Sequence, residues 1–62
     1  MQDARERLIV ALDVPDYVSA MEMDERLGKD VLWVKVGLEL FTAEGPRVVQ
    51  ALRDRGRKVF LD

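Results

Sequence analysis

Leu8-Ile9-Val10-Ala11-Leu12-Asp13 is an unbroken apolar run that stops on a carboxylate and passes into Val14-Pro15-Asp16. Five consecutive apolar residues bounded by turn formers predict a short strand buried on both faces, as in a parallel sheet, running into a loop. Everything downstream can be read against this strand. The next segment, from Tyr17 to Leu27, carries Tyr17, Val18, Ala20, Met21 and Leu27 near the helical period. Asp16 stands where a helix is capped and Gly28 where one ends. In this helix Glu22, Asp24 and Glu25 read as a solvated face.

Val31-Leu32-Trp33-Val34-Lys35-Val36 is β-branched and aromatic, and Gly37 closes it, which predicts a second strand. Residues 38–44 follow as a loop or short helical turn. Pro46 suits a first helical position, Val48, Val49 and Leu52 form an apolar stripe, and Gly56 marks a stop, so a helix is expected over residues 46–55. Gly45 and Gly56 read as helix boundaries, since no phosphate-binding glycine pattern surrounds them. Residues 57–62 begin a third strand. The predicted order is β-α-β-α-β with parallel strands and both helices on one face of the sheet. Such a unit is a slice of a (β/α)₈ barrel or of a doubly wound sheet.

Composition narrows the function classes. The chain has 62 residues, enough for one small domain, and neither Cys nor His, so disulfides and the usual transition-metal sites are excluded. A net charge of −2 without an isolated basic run argues against a nucleic-acid partner. No apolar run approaches the roughly 20 residues of a membrane span, and MQDARERLIV does not resemble a secretory signal, so a cytoplasmic location is expected.

Strand periodicity then selects candidate site residues. Side chains alternate with period two, so Ile9, Ala11 and Asp13 share one face, as do Val31, Trp33 and Lys35, and Lys58, Phe60 and Asp62. The opposite faces, with Val10 and Leu12, with Leu32, Val34 and Val36, and with Val59 and Leu61, suit the helices. Asp13, Lys35 and Asp62 are therefore expected at the C-terminal tips of three adjacent strands, with Lys35 between two carboxylates. Parallel α/β enzymes keep their active sites at such tips. The same charges also read as a surface ion network worth at most about 1 kcal/mol per pair. Trp33 and Phe60 read as core or barrel filling.

The segments LIVALDVPD, VKVGLELFTAEGP and VFLD, in that order, closely resemble the opening of the orotidine 5′-monophosphate decarboxylase family. Sugar-phosphate lyases of the same superfamily, such as keto-gulonate phosphate decarboxylase, also begin with an A-L-D strand but normally carry Glu where this chain has Lys35. The resemblance implies a (β/α)₈ TIM barrel, with residues 1–62 a single incomplete domain at its N-terminal end. It also implies a cofactor-free carboxy-lyase that converts orotidine 5′-monophosphate to UMP in pyrimidine biosynthesis and works as a homodimer. Carried over by position, Asp13 hydrogen-bonds the ribose, Lys35 joins the ribose contacts and an alternating charge network, and Asp62 sits against the substrate carboxylate. The family's proton-donating Lys, the Asp that reaches across the dimer and the phosphate-gripping loops have no counterpart in these 62 residues, which are expected to be inactive alone. The alternative expectation is a non-catalytic engineered or excised barrel fragment that self-associates.

Overall fold

The structure, a computed structural model, describes residues 8–62; the reading of residues 1–7 as unlike a secretory signal lies outside them. Strand β1 (Ile9–Leu12) leads into helix α1 (Tyr17–Leu27), and a 3₁₀ turn over Gly28–Asp30 precedes β2 (Trp33–Val36). Helices α2 (Leu38–Glu44) and α3 (Pro46–Asp54) follow, and then β3 (Lys58–Leu61). The three strands form one parallel sheet in the order β1-β2-β3.

Local chemistry explains each helix boundary. Asp16 accepts a hydrogen bond from the Ser19 amide at 2.8 Å and so satisfies one of the four amides that begin α1 without a partner. Gly28 ends the same helix. Residues 38–44, expected as a loop or turn, form a seven-residue α-helix. Gly45 then serves twice, as the last cap of α2 and the first of α3, with φ of +65° and ψ of −155°. That region of backbone space is essentially closed to side-chain-bearing residues. Pro46 occupies the first turn of α3, where its missing N–H costs nothing.

The core lies between the sheet and the helices. Leu12, Val34 and Val36 from the strands meet Ala20 and Met21 of α1, Leu40 of α2, and Val48 and Leu52 of α3, all buried. Each fully buried aliphatic side chain contributes about 1.5–3 kcal/mol. The opposite face of the sheet is open, with Ile9 and Phe60 exposed.

Three placements correct the sequence reading. Val31, expected on the open face, is buried in the core. It precedes the hydrogen-bonded ladder, which starts at Ile9↔Trp33, so strand alternation does not govern it. Leu61, expected against the helices, is 54% exposed, because β3 is an edge strand and no helix follows it among the described residues. Asp24, expected on a solvated face with Glu22 and Glu25, is only 3% exposed, whereas those two neighbours are exposed.

Asp24 tolerates burial because two arginines neutralise it. Arg57 Nε donates to Asp24 Oδ1 at 2.5 Å and Arg55 Nη1 to Asp24 Oδ2 at 3.1 Å. The Arg57 guanidinium also donates to the Asp24 carbonyl at 2.9 Å and to the Val31 carbonyl. One side chain thus satisfies a carbonyl left over at the end of α1 and ties the entry of β2 to that of β3.

Candidate active site at the strand tips

The strand register orders the open face of the sheet into successive layers. Ile9, Trp33 and Lys58 lie level with one another, and Ala11, Lys35 and Phe60 form the next layer. Continuing the register two residues brings Asp13, Gly37 and Asp62 to a common level just beyond the strand ends, where the Asp62 amide donates to the Val36 carbonyl at 3.0 Å. Strands about 4.8 Å apart hold the two carboxylates on either side of the central strand. Gly37 places no side chain between them.

Lys35 rises from the layer below. Its Nζ lies 3.6 Å from Asp62 Oδ2, with side-chain exposures of 34% and 66% respectively. Asp13 forms no ion pair with Lys35 within 4 Å among the described residues, so the expected position of the lysine between two carboxylates resolves into one pair and one separate acid. Asp13 nevertheless belongs to the same face. A Cβ built on Gly37, which would point as Lys35 does, meets Asp13 Oδ1 at 3.9 Å.

Beneath the charges, Trp33 and Phe60 pack edge to face with ring centroids 5.9 Å apart, and Lys58 Nζ sits 5.5 Å from the Trp33 ring centre. The rings form an apolar corner, with Trp33 one layer below Lys35 and Phe60 level with it. At the tips of β1 and β2, a cleft of about 380 Å³ opens between the loop after β1 and the start of α2, lined by Asp13, Val14, Pro15, Gly37, Glu39 and Leu40. Asp13 in the cleft wall and the Lys35–Asp62 pair on the neighbouring strands can orient a polar small molecule by hydrogen bonds and fixed charge.

Two long-range contacts are not apparent from the sequence. Glu44 accepts a hydrogen bond from the Tyr17 amide at 3.1 Å across 27 residues, and Asp24 anchors α1 to β3. The signal for Asp24 was present: with Tyr17, Ala20, Met21 and Leu27 it falls on one helical stripe. The contact of Glu44 with Tyr17 carries no comparable signal, since the group it meets there is a backbone amide.

Parallel strands joined by helices on one face, with charges gathered at the strand tips, define the chain as a β-α-β-α-β segment of a (β/α)₈ barrel. A family model described as "Orotidine 5'-phosphate decarboxylase / HUMPS family" matches residues 6–62, and the chain belongs to that family. It is 48% identical over 59 residues to an orotidine 5′-phosphate decarboxylase of Nostoc sp.. It is 53% identical over 55 residues to that of Maridesulfovibrio salexigens, and 54% over 57 residues to that of Carboxydothermus hydrogenoformans. These matches cover 95%, 89% and 92% of this chain, and the chain spans 24% of the length of each relative.

Proposed function

We propose that residues 1–62 are the opening of a longer (β/α)₈ barrel that decarboxylates orotidine 5′-monophosphate to UMP without a cofactor, in pyrimidine biosynthesis. The observation that carries this reading is the Lys35–Asp62 pair at 3.6 Å, with Asp62 level with Asp13, at the tips of parallel strands in a member of this family. In this reading Asp13 and Lys35 hold the ribose hydroxyls and Asp62 faces the carboxylate that leaves. Lys35 also separates the nucleotide enzyme from the sugar-phosphate branch, where Glu is usual at this position.

Loss of CO₂ from the pyrimidine builds carbanion character at C6, which is stabilised by a preorganised cation and quenched by a proton donor. Lys35 is held by Asp62 and assigned to the ribose, and a displacement of about 1 Å from the reacting atom can cost 10²-fold. The 62 residues alone are therefore inactive, and the proton donor and phosphate-binding loops come from elsewhere in the barrel. The whole enzyme is read as a cytoplasmic homodimer. Mixing this chain with the remainder of a family barrel tests the proposal. UMP formation by the mixture, and by neither part alone, supports it; a folded, associated mixture that forms no UMP overturns it.

A second reading is favoured by one feature. Ile9, Phe60 and Leu61 leave the open face and the β3 edge apolar and exposed, which suits a non-catalytic barrel fragment that associates with itself. Self-association with no activity on complementation distinguishes it.

A further inference from the structure

We propose that Glu44 is a positioning residue for Asp13, acting by clamping together the two walls of the strand-tip cleft. This inference rests on the functional reading above, in which Asp13 contacts the nucleotide. One wall of the cleft is the loop from Asp13 to Pro15 and the other is the beginning of α2, with Glu39 and Leu40. Glu44 lies at the far end of α2 and reaches back to the start of α1, two residues beyond the first wall, where its Oε2 accepts from the Tyr17 amide at 3.1 Å.

The contact is held from its other side as well. Glu44 Oε1 accepts from Arg47 Nη2 at 3.1 Å, and the Arg47 guanidinium lies 4.1 Å from the centre of the Tyr17 ring. Tyr17, Glu44 and Arg47 thus form a closed triangle of hydrogen bond, ion pair and cation–π contact. The negative charge sits at the N-terminus of α1, where the helix dipole favours it. Asp16 already caps α1 through Ser19, so Glu44 is not needed to start the helix. What Glu44 adds is a link between α1 and α2, and only four residues separate β1 from α1, so fixing the Tyr17 amide limits where Asp13 can move.

The test is a coupling measurement in a full-length family barrel carrying these 62 residues. KM and kcat are compared for the unmodified barrel, Glu44→Ala, Glu44→Gln, Asp13→Asn and the double variants. Glu44→Ala is expected to raise KM roughly tenfold with kcat changed less than about twofold. Glu44→Gln, which keeps an acceptor for the Tyr17 amide, recovers part of that loss. In the Asp13→Asn background the Glu44→Ala effect on KM falls to less than about twofold, because the residue it positions is already altered. A merely structural role would lower thermal stability equally in both backgrounds and leave the KM ratio uncoupled. An unchanged KM, or the same fold-change in both backgrounds, overturns the inference while the barrel remains an active decarboxylase. If Glu44→Ala does not fold, the Glu44→Gln pair of backgrounds reads the same coupling. An unmodified barrel without activity removes the functional reading and this inference together.

Discussion

Arg57 and Asp24, 33 residues apart in sequence, meet at 2.5 Å with side chains only 8% and 5% exposed. Removing one partner of a buried pair leaves an uncompensated charge, which costs far more than the intact pair contributes. Asp24→Ala is therefore expected to destabilise the fold by about 3 kcal/mol or more. Glu22→Ala and Glu25→Ala, two and one positions away on exposed sites, should stay within about 0.5 kcal/mol. Urea denaturation of the three variants checks the contrast, and equal effects would mean that Asp24 is not a buried anchor.

Lys35 and Asp62 behave in the opposite way. Their pair is exposed enough to contribute at most about 1 kcal/mol to stability. In an intact family barrel, Lys35→Glu or Asp62→Ala should leave thermal unfolding nearly unchanged and lower turnover by about 10²-fold or more. Unchanged turnover would withdraw both residues from the proposed site.

The cap at Asp16 gives a pH signature. Hydrogen bonds from the backbone amide and the side chain of Ser19 hold the Asp16 carboxyl below its ordinary value of 3.8. A carboxylate with a lowered folded pKa stabilises the fold above its unfolded value and loses that contribution as pH falls through the folded one. Asp16→Ala should therefore be less stable than the unmodified chain near neutral pH, with the difference shrinking once the pH drops below 3.8. Melting both proteins across that range tests the sign; a gap that widens on acidification would contradict it.

Gly45 offers a purely backbone test. A Cβ there meets nothing within 4 Å, so Gly45→Ala creates no clash with neighbouring groups. The φ of +65° with ψ of −155° still penalises alanine by about 1–3 kcal/mol. Chemical denaturation should show this loss, and a neutral result would mean that the α2–α3 junction readjusts freely.

The apolar open face predicts association. Ile9, Phe60 and Leu61 are exposed along the sheet and its edge strand. The isolated chain should sediment as more than a monomer at micromolar concentration, and Phe60→Lys should shift it toward monomer. A sharp monomer in both cases would exclude the self-associating form.

Much of this architecture was legible because local signals agreed with the tertiary outcome. Asp16, Gly28 and Pro46 mark helix ends by capping chemistry that depends on few distant contacts, and the alternation of Val34, Lys35 and Val36 fixes which face of β2 is buried. Lys35 and Asp62 came together as periodicity implied. Other features depended on partners far along the chain. Asp24 looked solvent-facing because its charge outweighed its place on the α1 stripe, and only Arg55 and Arg57 make that place tenable. Helix α2 was ambiguous because Gly37 supplies no capping side chain, and burial of Leu40 decides it. Val31 defied alternation because it lies before the ladder that enforces it.

Strand β3 is gripped where it enters the sheet, by Arg57 on the end of α1, and it carries Asp62 where it leaves. The buried anchor and the proposed site thus lie at opposite ends of a single four-residue strand. A search for hardier variants can be confined to the surroundings of Asp24, Arg55 and Arg57, and a search for altered substrate preference to the mouth near Asp13. Changes won at one end should be combinable with changes won at the other.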